Sequence, residues 1–280
     1  MIARISRILQ AGMVVVGFLA IVMLSTKAYP KDAAAQYVRE ERLVSVDGVT
    51  ETWRLVWEGK PSAVCEPEDV ISAITCPCAG LAYGEYGKLS LVRTRGGREI
   101  ERMDLAPLFG KFDYPDAERL EGKAYLQRWP TQDSDLERSE RDDPKLVSEI
   151  RRRMAPRIMQ LADYDRDGKA TEFLIQVGTL PCGKLQFSAV GISDKNPHLH
   201  ALTSVARPDE PLVLPLSAWQ VLLSHPEPTT VQTWDCGDHG SEVRTEVVVS
   251  ASKGEIRVKE REYSCPEDGS PERLLQETDG

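Results

Sequence analysis

From Arg42 to Glu58 the pattern of apolar and polar residues turns β, the structure in which successive side chains go to opposite faces. Leu43-Val44-Ser45-Val46 and Val49-Thr50-Glu51-Thr52-Trp53-Arg54-Leu55-Val56-Trp57 flank Asp47-Gly48, so this stretch predicts a hairpin about a type I′ turn. Trp53, Leu55 and Trp57 then share one face. Aromatic residues at that spacing either fill a core or line a sugar-binding face.

The outline returns further along. Cys78-Ala79-Gly80 precedes Leu81 to Thr94, Arg95-Gly96-Gly97-Arg98 turns the chain, and Glu99 to Leu105 runs back. Glu172 to Thr179 leads through Pro181-Cys182-Gly183 into Leu185 to Ser193, with a turn at Asp194-Lys195-Asn196-Pro197 and a return from His198 to Val205. Val231 to Trp234 leads through Cys236-Gly237 into Glu242 to Ala251, then Ser252-Lys253-Gly254 and Ile256 to Tyr263. The expected fold is therefore mainly β: antiparallel meanders and hairpins in a sandwich or a small propeller-like array, with one or two short helices.

One helix is expected over Lys145 to Met154, where Leu146, Val147, Ile150 and Met154 fall on one side and Pro156 ends the run. A second is expected at Leu216 to Ser224. Residues 113–143 are charged and dotted with proline, and read as a surface excursion or a linker. The residues before them, 36–112, form one β block. Residues 144–265 carry the first helix and the later β blocks, packed with 36–112 as one domain. Residues 266–280 are polar and read as a loose tail.

At the N-terminus Arg4 and Arg7 precede an apolar run from Ala11 to Leu24. A basic start followed by a short apolar run is the layout of a secretory signal, and the run falls short of the ~20 residues a spanning helix needs. Small residues for cleavage occur at Thr26-Lys27-Ala28 and at Ala33-Ala34-Ala35, giving a signal over residues 1–28, or to 35. The chain is then periplasmic or secreted, the alternative being a membrane anchor left uncleaved. All six cysteines, Cys65, Cys76, Cys78, Cys182, Cys236 and Cys265, lie beyond the signal and are disulfide candidates. Cys76 and Cys78 straddle a proline and are poor partners for each other, whereas Cys236 and Cys265 flank a predicted hairpin and could close its open end. A redox or metal role for Cys76-Pro77-Cys78 is the competing reading, but the redox motif has two intervening residues. The 35 Lys+Arg against 44 Asp+Glu give a net charge of −9, and no basic stripe interleaved with aromatics occurs, which excludes nucleic acid as an expected partner.

The segment whose spacing demands a particular chemistry is Asp163-Tyr164-Asp165-Arg166-Asp167-Gly168-Lys169-Ala170-Thr171-Glu172. Carboxylates at alternate positions followed by glycine suit a loop wrapped around a hard cation, since Ca²⁺ takes about 6–8 oxygens at roughly 2.3–2.6 Å. Gly168 allows the sharp turn, Lys169 offers its carbonyl, and Thr171 or Glu172 a later side-chain oxygen. The twelfth position, where a helix–loop–helix calcium loop carries a bidentate Glu, is Leu174. Glu172 to Val177 reads as a strand, and Arg157 to Ala162 could be another. A strand–DxDxDG–strand arrangement resembles the calcium loop of FG-GAP and VCBS-type repeats, over about a dozen residues in one copy, more than an EF-hand. The resemblance implies one Ca²⁺ ion with Asp163, Asp165, Asp167 and the Lys169 carbonyl as ligands. The ninth position, usually acidic in that pattern, is Thr171, with Glu172 one step later.

Two other constellations are weaker. His198 and His200 lie two apart in a predicted strand, and His239 with Asp238 would complete a zinc site if the fold brought them together. Asp235, His239 and Ser241 contain the residue types of a nucleophilic triad, without the G-x-S-x-G elbow. No P-loop or dinucleotide fingerprint occurs. The sequence thus points to an exported calcium-binding protein with a structural or interaction role, not catalysis, and an unidentified protein or glycan partner. The alternatives are a carbohydrate- or protein-binding module using Trp53, Trp57 or other exposed aromatics, and a zinc-dependent hydrolase.

Overall fold

The computed structural model describes residues 35–64, 84–109, 122–130, 132, 134–180, 184–266 and 270–280. Residues 1–34, with nearly all of the signal region, and Cys65, Cys76, Cys78 and Cys182 lie outside the described residues, as does the stretch from 110 to 121. The fold is mainly β, with four antiparallel sheets, three short α-helices and no closed barrel among the described residues. Residues Ala34–Gly280 form one compact unit.

The first sheet is a meander. Strands β1 (Gln36–Val46) and β2 (Val49–Glu58) pair antiparallel about Asp47-Gly48. Both turn residues have positive φ, 50° and 78°, as a type I′ turn requires. Two short strands follow, β3 (Ser62–Val64) and β4 (Gly84–Gly87). They pair with each other, and β4 pairs with β7 (Ala124–Gln127), making a small separate sheet. Strands β5 (Leu89–Arg95) and β6 (Arg98–Asp104) complete the first sheet in the order β1-β2-β5-β6. The expected continuous strand from Leu81 to Thr94 is thus broken at Lys88, and its halves join different sheets.

The middle of the molecule is the pair β8 (Glu172–Leu180) and β9 (Lys184–Gly191). Phe173, Ile175, Val177 and Val190 point toward Trp53, Leu55, Trp57 and Leu91 of the first sheet, in one apolar cluster. Leu174, Phe187 and Ala189 point the other way, into a second cluster. This layer is therefore covered on both faces, which is why its apolar run is nearly continuous. Trp53 and Trp57 are 0% and 2% exposed, so the core reading of these aromatics holds and neither offers a sugar-binding face.

The outer layer combines β12 (Thr229–Trp234), β13 (Val243–Ser252), β14 (Glu255–Ser264) and β15 (Leu274–Asp279) in a second meander with the helix α3 (Leu216–Ser224). Trp219, Ala218 and Leu222 of α3 pack on Val231, Val247, Val249, Ile256 and Val258. Short strands β10 (His200–Ala201) and β11 (Leu214–Pro215) pair with β9 on its second edge. Cys236 and Cys265 form a disulfide with a Cα–Cα distance of 5.6 Å, closing the open end of the β13–β14 hairpin.

Several expectations are corrected. The tail is not loose: β15 pairs with β14 from Lys259↔Asp279 to Tyr263↔Leu274. Arg157 to Ala162 is not a strand and contributes a single bridge, Ala162↔Glu172. His198 to Val205 is strand only at β10. The helix expected over Lys145 to Met154 is α2 (Leu146–Ile150), and Met154 is 87% exposed instead of facing the core. The charged excursion contains a helix, α1 (Ser134–Glu140). It is anchored by the buried Asp135, whose oxygens accept two 2.6 Å hydrogen bonds from the Arg153 guanidinium just beyond α2. Burial alone would raise the Asp135 pKa, but Arg153 and the Gln132 N–H outweigh it and hold the carboxyl below its ordinary value.

Candidate metal site

The Asp163–Glu172 loop lies between the middle and outer layers. Its last residue opens β8, and Gly191 of β9 sits opposite it. A Cβ at Gly191 would lie 2.1 Å from the Thr171 carbonyl oxygen, so only glycine lets β9 pass this close to the loop. Gly168 takes φ +98°, the sharp reversal that its position after three alternating Asp residues suggested.

Asp163, Asp165 and Glu172 each bring a carboxylate oxygen into a group whose members lie within 4.8 Å of one another. Asp165 is 2% exposed and Glu172 0%. Local hydrogen bonds orient these groups without filling their capacity. The Asp167 N–H donates to Asp163 Oδ1 at 3.0 Å and to Asp165 Oδ1 at 3.1 Å. The Gly168 N–H donates to Asp163 Oδ2 at 3.0 Å, and the Tyr164 N–H to Glu172 Oε2 at 3.0 Å. The Thr171 hydroxyl lies 2.8 Å from both Glu172 Oε1 and the Ile192 carbonyl. Asp165 Oδ2 is buried with no hydrogen-bond partner. A buried carboxylate oxygen left unpaired is costly unless something positive faces it.

The electrostatics carry the same message. Burial first, and then the neighbouring Asp167 charge, push the Asp165 carboxyl up to about 6. Burial pushes Glu172 up to about 8, with Asp165 and Asp167 adding to it, against the opposing hydrogen bonds from Thr171 and the Tyr164 N–H. Crowded carboxylates of this kind either take protons or hold a cation. An all-oxygen set in a tight loop suits a hard divalent ion such as Ca²⁺ or Mg²⁺.

The expected ligands are thus not equally placed. Asp163, Asp165 and Glu172 converge. Asp167 turns toward the neighbouring backbone, where its oxygens accept from the Lys169 N–H at 2.8 Å and the Asp194 N–H at 2.7 Å. Lys169 Nζ reaches out to Asp47 at 2.7 Å and Asp194 at 2.6 Å, and these hydrogen bonds raise its pKa. The central place of Glu172 follows from the β8–β9 register, which a short motif does not contain.

No family model, curated protein or solved structure matches the chain.

Among the described residues the other sequence candidates form no comparable group of metal-ligating side chains. The His198 side chain is 80% exposed, with Nδ1 3.3 Å from Glu101, and His200 Nδ1 lies 2.8 Å from the His198 carbonyl. The His239 side chain lies outside the described residues. The Ser241 hydroxyl donates to the Val243 carbonyl at 2.7 Å, and Asp235 accepts from the Cys236 N–H. A cleft of about 850 Å³ opens between β9, β11 and the outer sheet, bordered by Leu185, Pro215, Leu216, Trp234, Thr245 and Gln276. Lys184 Nζ stands 3.7 Å over the Trp234 ring there and pairs with Asp238.

Proposed function

We propose that the protein is an exported, disulfide-bearing calcium-binding protein whose ion has a structural role in presenting an interaction surface. The observation that carries this reading is the convergence of Asp163, Asp165 and Glu172 within 4.8 Å of one another, together with a buried Asp165 whose Oδ2 has no hydrogen-bond partner. In this reading Glu172 joins Asp163 and Asp165 as a ligand, in place of the Asp167 that the FG-GAP and VCBS-type resemblance implies. Bound Ca²⁺ neutralises carboxylates that repel one another and supplies the positive partner that Asp165 lacks.

Export is supported by the N-terminal basic-then-apolar pattern and by the Cys236–Cys265 disulfide, which belongs in an oxidising compartment such as the periplasm or the extracellular space. No helix among the described residues is long and apolar enough to cross a membrane. The test is the melting temperature in excess Ca²⁺ against chelator, because a ligand held by the folded state alone must stabilise it. A rise with Ca²⁺ is expected, and identical melting curves contradict the proposal.

The cleft beside Trp234 favours a second, compatible reading in which the outer sheet binds a glycan or a protein segment. Its combination of an aromatic wall with threonine and glutamine side chains is suited to such ligands. Glycan-array binding lost in Trp234→Ala at unchanged stability supports this role, and unchanged binding removes it.

A further inference from the structure

The loop's residues alternate between two tasks. Asp163, Asp165 and later Glu172 converge on the candidate ion, while Tyr164 and Arg166 between them reach the outer layer. The Tyr164 ring meets the Trp219 ring of α3 edge-on, with centroids 5.6 Å apart. Arg166, held at φ +55°, donates from Nε and Nη2 to the Leu222 and Leu223 carbonyls, each at 2.8 Å. These carbonyls belong to the last turn of α3, where no intrahelical donor remains for them.

The same loop also receives the β13–β14 turn. The Gly254 N–H donates to the Asp165 carbonyl at 2.9 Å and the Lys253 N–H to the Arg166 carbonyl at 3.1 Å. That turn sits directly against the ligands, since a Cβ at Gly254 would lie 3.6 Å from Asp165 Oδ2. One residue, Asp165, thus offers its side chain to the ion and its backbone to the outer sheet.

We infer that the ion at this loop is a clasp that seats α3 and the β13–β14 hairpin on the β8–β9 layer, so that calcium controls the order of the outer layer and not of the whole chain. This inference rests on the calcium reading above. When the ion leaves, the carboxylates separate. The loop backbone that carries the Gly254, Lys253 and α3 anchors must move with them. The first sheet shares with this loop only the exposed Lys169–Asp47 pair among the ion pairs of the described residues.

Amide hydrogen exchange on the full, disulfide-intact chain tests it, with calcium binding measured by calorimetry on the same sample. In chelator the amides of Lys253, Gly254 and the last turn of α3 exchange faster by about tenfold, a change that converts to ~1.4 kcal/mol. The amides of the β2–β5 pairing hold their rates. Arg166→Ala, which leaves every carboxylate in place, still binds one Ca²⁺, but its α3 amides no longer respond to the ion while Gly254 does. Calcium binding with uniform or absent changes in exchange overturns the clasp and leaves the calcium reading standing. Absence of calcium binding overturns both.

Discussion

Asp165→Asn separates a ligand from an ordinary buried acceptor. The substitution keeps the Oδ1 that accepts the Asp167 N–H and removes one negative charge. Two unit charges at the 4.8 Å limit of the cluster repel by about 3 kcal/mol at an effective dielectric constant near 20. Asn removes two of the three repulsive pairs, and protonation and relaxation of the native loop reduce the net gain to roughly 1–3 kcal/mol. In chelator the variant therefore melts higher than wild type, by several degrees at about 2–4 °C per kcal/mol for a unit of this size. In saturating Ca²⁺ the order reverses. Wild type gains about 4.1 kcal/mol when free calcium is ~1,000 times Kd, more than the whole of that lead, and the variant gains far less. Thermal melts of both proteins in both conditions read the four values. If Asp165→Asn is less stable than wild type by the same amount with and without calcium, Asp165 is a structural acceptor and the reasoning fails.

Other perturbations follow from the same geometry. Gly191→Ala forces its Cβ against the Thr171 carbonyl and should cost about 3 kcal/mol or more; a denaturation midpoint within error of wild type contradicts the close approach. Opening Cys236–Cys265, separated by 29 residues, should cost about 3–4 kcal/mol by the loop-entropy relation, measured by urea denaturation of Cys236→Ser/Cys265→Ser. Asp135 has a folded pKa below its unfolded value, so its contribution is complete above the unfolded pKa of about 4 and disappears as pH falls through the lower, folded one. Asp135→Asn should therefore be destabilised at neutral pH and lose part of that deficit in acid, as read from melts across pH, whereas a deficit that stays constant with pH removes the ionic explanation.

What the sequence disclosed depended on whether local chemistry decides the outcome. Asp47-Gly48, Gly96-Gly97 and Lys253-Gly254 all take positive φ at hairpin tips, and such turns announce themselves in residue type. Leu216–Ser224 was legible because its apolar face is local and periodic. Strand β15 was hidden because it is a polar edge strand, exposed along most of its length and held by ladder bonds to β14. Helix α1 was hidden because a partner 18 residues away, Arg153, secures it. Arg157 to Ala162 has the apolar content of a strand, yet ladder partners are set by the fold, and only Ala162 finds one. In the loop itself, alternating Asp residues and Gly168 identified the chemistry. The prominence of Glu172, the turning away of Asp167 and the anchoring role of Arg166 depend on β9, the Asp194 turn and α3, which no local pattern encodes.

The central claim is that Asp163, Asp165 and Glu172 share a divalent ion. Calorimetric titration of the chelator-stripped full chain with Ca²⁺ addresses it directly. The account predicts saturable binding at one ion per chain that Asp165→Asn abolishes or greatly weakens, and a titration with no heat of binding and no shift in melting temperature would contradict it.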